Sequence, residues 1–253
     1  MFEVHILASG SDGNCTVVEC DGEAVMIDCG ISCRAVLRQM EQEGVDKDAV
    51  KAMLITHEHT DHMKGAGATA RKLGIPVMCN IPTFEAMSLG AVDFVPFDPA
   101  CSFDVGQFRI TPLPTCHNAV QPNAFYMEAG GCSMAQVTDT GCVTPQIEEA
   151  LRRADIAVFE ANYDPQMLVD GPYSPALKRL IGSDHGHMSN VDSAAAIRRT
   201  MAEDHRRQVF LAHLSRHNNT PDIARQTAAD ITGIRRLAID CLEFQGDSRT
   251  LRA

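Results

Sequence analysis

Apolar positions come in short bursts over the first third of the chain. FEVHILAS and CTVVEC are apolar-rich runs of strand length, joined by the turn-forming GSDGN. EAVMID follows after Asp21-Gly22, a two-residue hairpin signal. The period then changes. SCRAVLRQMEQEG has helical spacing, which predicts a helix capped by Ser32 and stopped at Gly44. VKAMLIT reads as a buried strand, AGATARKLG as a helix ending at Gly74, and IPVMCN as another strand. Residues 101–114 and 123–138 predict further strands, the latter span turning at Gly130-Gly131. In the second half, IAVFEA and QVFLAHL read as strands among helices near 145–153, 174–181, 190–203 and 220–231.

Hairpin-linked early strands followed by alternating helices and strands predict sheets with helices on their outer faces. No repeat of fixed period and no low-complexity linker divides the chain. Residues 1–253 therefore read as one domain, and 45% hydrophobic residues are enough for a large core.

Composition narrows the setting. None of the ten cysteines forms a C-x-x-C pair. Cys20, Cys29 and Cys79 sit inside apolar runs, so buried free thiols are expected rather than a disulfide framework. The N-terminus lacks a basic segment before a long apolar stretch, and no run approaches bilayer length. A cytoplasmic protein without membrane contact is the expectation. The formal charge of −11 gives no general attraction for nucleic acid, which counts weakly against such a substrate. The basic pairs Arg71-Lys72, Arg152-Arg153, Lys178-Arg179, Arg198-Arg199, Arg206-Arg207 and Arg235-Arg236 read as solvated helix faces.

The chemistry concentrates in THEHTDHMKG, residues 56–65, directly after the strand VKAMLI. His57, His59, Asp61 and His62 are four candidate ligands within six residues, at a strand end where the chain turns. Imidazole nitrogen and carboxylate oxygen suit borderline divalent metals. A second stretch, GSDHGHMSN at 182–190, holds His185 and His187. By itself it reads as further ligands, a proton-transfer device or a polar turn.

H-x-H-x-D-H resembles the signature of the metallo-β-lactamase superfamily. The rest of that pattern is matched in order by Asp28 in VMIDCG, His117 in PLPTCHNA, Asp139 in VTDTG and His213 in FLAHLS. The resemblance implies an α+β fold, a four-layer αββα sandwich. It implies two divalent ions, zinc or manganese with iron as a further candidate. His57, His59 and His117 would hold one, and Asp61, His62 and His213 the other, with Asp139 bridging. Asp28 would orient a ligand histidine. A bridging water ionised by the ions would be the nucleophile. One departure is Asn118, where many members carry aspartate after the histidine.

EANYD and GHMSN also resemble segments of the tRNA 3′-processing endonucleases that supply a glutamate and a histidine. Glu160 and His187 are their counterparts, implying proton transfer to the leaving oxygen. Asp61 is counted with these catalytic groups as well as with the ligands. A carboxylate beside an imidazole keeps it charged, and an imidazolium is a good acid for an alkoxide leaving group. ILASGSDGNC, IDCGIS, THEHTDHMKG, TDTG, EANYD, GPY, DHGHMSN and AHLSRHNNTP together resemble the bacterial YycJ/WalJ group over almost the whole chain. That group implies a 5′-to-3′ exonuclease of double-stranded DNA. A hydrolase of small phosphodiesters or thioesters, an RNA-processing nuclease and a non-catalytic metal-binding regulator are the competing readings.

Substrate contacts are expected from Ser11 and Asn14, on a glycine-bearing loop that is either a phosphate cradle or a polar turn. His217 and Asn218 follow the last ligand and are placed in the groove by position. His185 either lines the site or meets a terminal phosphate.

Overall fold

The computed structural model describes residues 1–201, 207–233, 239–243 and 246–253. Two seven-stranded sheets form the centre. The first, sheet A, runs in the order β14 (Arg249–Arg252), β1 (Phe2–Ala8), β2 (Cys15–Cys20), β3 (Glu23–Ile27), β4 (Val50–Leu54), β5 (Val77–Cys79) and β6 (Phe94–Pro96). Sheet B runs β13 (Ile239–Asp240), β12 (Gln208–Ala212), β11 (Ile156–Glu160), β10 (Cys132–Val137), β9 (Asn123–Ala129), β8 (Phe108–Pro114) and β7 (Phe103–Val105).

The two sheets share a plan. In sheet A, pairings from β14 to β3 are antiparallel and those from β3 to β6 parallel. In sheet B, β7 to β10 pair antiparallel and β10 to β13 parallel. Phe2, Ile6, Met26 and Met53 of sheet A and Phe108, Phe125 and Phe210 of sheet B are buried in one apolar core. A second core joins sheet B to α5 (Pro145–Arg153), α8 (Asn190–Thr200) and α9 (Pro221–Thr232) through residues such as Leu151, Ile197 and Ala224. Sheet A is covered by α1 (Cys33–Glu43) and α3 (Ala66–Leu73). This is the α+β sandwich that the resemblance implied.

The predicted punctuation is found in place. Ser32 Oγ accepts from Ala35 N at the start of α1, and Gly44 closes it in the left-handed conformation. Asp21 and Gly22 both have positive φ, as a tight hairpin requires. Several short elements escaped the sequence pattern: α2 (Thr60–Met63), α4 (Ile81–Glu85), β6, α6 (Pro165–Asp170), β13 and β14. They are too short to develop a period. α8 ends at Thr200 rather than 203, which lies outside the described residues with Arg206, Arg235 and Arg236. Among the described residues no helix is long and apolar enough to cross a membrane.

Candidate metal centre

The C-terminal ends of β3, β4, β10, β11 and β12 converge on one place. Three residues there, Asp28, Asp139 and His213, have φ of 57°, 58° and 58°. Side-chain-bearing residues seldom adopt that left-handed conformation. Each directly follows or lies just beyond a strand, so the chain turns while its side chain stays aimed at the centre.

Sheet A contributes a hub. Asp28 is fully buried and accepts hydrogen bonds from Thr56 N at 2.9 Å and from Thr56 Oγ1. Its Oδ2 lies 2.8 Å from His62 Nδ1. Thr56 Oγ1 gives its proton to Asp28 and so accepts from His57 Nδ1, 3.0 Å away. The loop is held by close packing. Gly30 N donates to Asn14 O, and Asn14 N to Asp61 O. A Cβ on Gly30 would lie 1.6 Å from Asp61 O.

Sheet B and its loops add the other wall. His117 Nδ1 donates to Gly186 O at 3.0 Å. Glu160, at the end of β11 and fully buried, accepts from Thr140 N and lies 3.1 Å from His213 Nδ1. Its Oε1 is 2.7 Å from His187 Nδ1.

In His57, His62, His117 and His213, therefore, Nδ1 is tied to an oxygen and Nε2 is turned inward. Tying one ring nitrogen is how proteins aim the other at a metal. Several inward atoms lack ordinary partners, although Asn14 Nδ2 lies 3.1 Å from His62 Nε2. Among the described residues His57 Nε2 and Asp139 Oδ2 are buried without a hydrogen bond, although His62 Nε2 lies 3.0 Å from that oxygen. His117 Nε2 faces His59 Nδ1 at 3.3 Å, two ring nitrogens pointed at each other. His213 Nε2 faces Asp61 Oδ2 at 3.3 Å. Donor atoms of three groups, His57/His59/His117, His57/His62/Asp139 and Asp61/His62/His213, each lie within 4.8 Å of one another. Imidazole and carboxylate donors that converge in this way suit divalent cations.

Electrostatics divides the cluster. Burial pushes the His57 imidazole well below its ordinary range, and His117 below it too. Burial acts the same way on His62, but Asp139 and Asp28 overcome it and raise that ring well above the ordinary value. His213 is likewise raised, to about 10, by Asp139, Asp61 and Glu160 against burial. Burial works to raise the carboxyls of Asp61 and Glu160. Hydrogen bonds from His213 and His62 overcome it for Asp61, and the charge and hydrogen bond of His187 for Glu160, so both are lowered.

The centre opens into a cavity of about 250 Å³. Its wall includes Ser11, Asn118, His185 and His187, with Leu177, Leu180 and Ile181 from α7 (Pro175–Ile181) on the apolar side. His187 is partly exposed, and its Nδ1 bond to Glu160 leaves Nε2 for the cavity. Gly186, its neighbour, has no room for a side chain, since a Cβ would meet Leu180 O at 2.1 Å. The stretch GSDHGHMSN thus anchors His117 through one residue and presents His187 through the next.

Three expected substrate contacts fall elsewhere. Asn14 is buried and binds Gly10, Asp61 and His62, so it braces the loop instead of facing the cavity. The N–H groups of Gly10, Gly13 and Asn14 are all used internally, which favours the turn over the phosphate cradle. Asn218 is fully buried against Ser215. His217 is exposed but packs on Tyr173, off the cavity wall. Sequence reasoning missed Thr56 and Asn162, and placed Ser9 only on the glycine-bearing loop after the first strand. Ser9 Oγ accepts from His213 N at 2.8 Å, and Asn162 Nδ2 donates to His213 O. Their signal was position alone, just past a strand end.

Comparison with known proteins agrees with this geometry. Residues 23–214 match the beta-lactamase superfamily domain model. A Bacillus anthracis protein named exodeoxyribonuclease YycJ is 34% identical over 89% of this chain and 87% of its own. A Streptococcus pneumoniae protein named exodeoxyribonuclease WalJ is 34% identical over 89% of this chain and 86% of its own. Among solved structures, the metallo-beta-lactamase fold protein YhfI of Bacillus subtilis superposes with a TM-score of 0.75 at 18% identity, covering 98% of this chain and 99% of that one. A family model spanning most of the chain, and relatives of this identity over nearly all of it, make this protein a metallo-β-lactamase-fold hydrolase of the YycJ/WalJ-like group.

Proposed function

We propose that this hydrolase is a two-metal phosphodiesterase acting on double-stranded DNA as an exonuclease, with the 5′-to-3′ polarity that its group implies. The carrying observation is the His187–Glu160 pair at the cavity edge, beside the convergent donors. The relatives named exodeoxyribonucleases support the choice of DNA.

In this reading His57, His59 and His117 would hold one divalent ion, zinc, manganese or iron. Asp61, His62 and His213 would hold the other, with Asp139 close enough to contribute. When bound, such ions polarise a phosphoryl oxygen and supply a water ionised near neutral pH. The chain's own residues do the rest. Asp28 and Thr56 fix the tautomers of His62 and His57. Glu160, lowered and ionised, holds the His187 ring with its proton-bearing Nε2 toward the cavity. His187 passes that proton to the departing sugar oxygen, which is a poor leaving group unless protonated. Leu177, Leu180 and Ile181 give the wall an apolar face for sugar and base.

A small phosphodiester or thioester is the second reading, favoured by the net charge of −11, which opposes a polyanion. The test is a side-by-side assay of purified, manganese- or zinc-loaded protein on end-labelled duplex DNA, a structured RNA, bis-nitrophenyl phosphate and a thioester. We expect mononucleotide release from the duplex. Turnover of the small diester with intact DNA would sink the exonuclease reading.

A further inference from the structure

On the outer face of sheet A, away from the centre, Glu3 and His5 on β1 and Glu19 on β2 bring one donor atom each to within 4.8 Å of one another. Glu3 and Glu19 are direct partners in the antiparallel register. Like charges placed opposite each other destabilise a strand pair. Arg252 Nε answers Glu3 at 2.6 Å. Glu19 has only His5 as an ion-pair partner among the described residues, at 3.8 Å.

His5 itself is 2% exposed. Its Nδ1 lies 2.8 Å from Thr250 Oγ1 on β14. That hydroxyl gives its own proton to Glu43 Oε2 on α1, so toward His5 it acts as acceptor. The ring proton therefore sits on Nδ1 and Nε2 keeps a bare lone pair. Nε2 is buried and has no hydrogen-bond partner among the described residues. The 3.8 Å to Glu19 Oε2 is too long for a hydrogen bond. It fits two donors that each bond one ion at about 2.0–2.2 Å.

The same arrangement occurs in the candidate centre. There Asp28, Thr56 and His57 form a carboxylate–threonine–histidine relay ending in a buried, unpartnered Nε2. Glu43, Thr250 and His5 repeat it with residues from three other elements. The geometry points to a separate divalent-cation site on this face, with His5 Nε2, Glu19 and Glu3 as ligands and water completing the shell. Burial lowers the His5 imidazole, with Glu3 and Glu43 opposing and Arg252 assisting, which keeps the ring in its liganding form. Both glutamates are partly exposed, so an ion has a way in. An ion here would tie β2 to β1 and, through Thr250 and Glu43, to β14 and α1.

Anomalous diffraction at the zinc edge from zinc-grown crystals decides the matter without reference to activity. The expected result is a peak bonded to His5 Nε2, in addition to peaks among His57, His59, His117 and His213. A filled centre with no peak at His5 overturns the proposal. Glu19→Gln removes the repulsion as well as a ligand, so its folding is not at issue. It is expected to lose the His5 peak and about one zinc equivalent per chain by plasma mass spectrometry, with the centre unaltered. Unchanged zinc content in that variant overturns the assigned ligand set.

Discussion

The two sheets follow one plan of pairing, yet they build their halves of the centre differently. Sheet A delivers His57, His59, Asp61 and His62 from one loop, seated by Asp28 and by glycines against which no side chain would fit. Sheet B delivers Asp139, Glu160 and His213 singly, one from the end of each of three parallel strands. The first half depends on local packing and the second on strand register. A change in the loop should therefore disturb several donors together, whereas a change on sheet B should remove one function and spare the rest.

The largest expected effect breaks the loop. Gly30→Ala forces Asp61 O to move, because the new Cβ would overlap it. Overpacking of this kind destabilises by roughly 1–3 kcal/mol. We expect thermal unfolding at lower temperature, loss of bound metal and activity at background. Full metal content in this variant would show that the loop is not what seats the donors. Next comes a single-function change on the sheet B side. His187→Ala should slow turnover by about 10²–10⁴-fold, the usual worth of a general acid, with metal content unchanged. Metal loss in that variant would mean that His187 is a ligand and that the two halves are less separable than drawn.

The smallest effect probes a strand of sheet A that carries no donor. Cys79 ends β5, and burial pushes its thiol from 9.0 up to about 12. The folded state thus holds a proton that the unfolded chain releases near pH 9. The associated stability is complete below that pH and is lost as pH rises toward 12, at up to about 1.4 kcal/mol per pH unit. Urea midpoints measured on the alkaline side should fall less steeply for Cys79→Ala than for the parent chain. Equal slopes would place the alkaline loss elsewhere.

Most of sheet A was legible in the sequence because β1 to β4 are apolar-rich runs of strand length, two of them joined by the turn dipeptide Asp21-Gly22. β14 was not, since four residues carry no period and its partner β1 lies at the other end of the chain. The same distinction holds at the centre. Four histidine and aspartate residues within six positions announce themselves; Asp139 and His213 stood out only through the order of the family pattern. Thr56 was silent because threonine is an ordinary strand residue, and its role exists only once Asp28, 28 positions earlier, is beside it. Asn14 and Asn218 misled for the converse reason: a polar side chain near a motif looks available until burial shows that it is turned inside, Asn14 onto Gly10 and Asn218 onto Ser215.

The left-handed backbone at Asp28, Asp139 and His213 has a consequence for how such a chain can vary. A sequence selected for folding alone would drift toward glycine at all three, because glycine adopts that conformation without a Cβ penalty. Glycine has no donor atom. These positions are therefore places where selection for chemistry and selection for foldability pull in opposite directions, and the residues found there record which of the two prevailed.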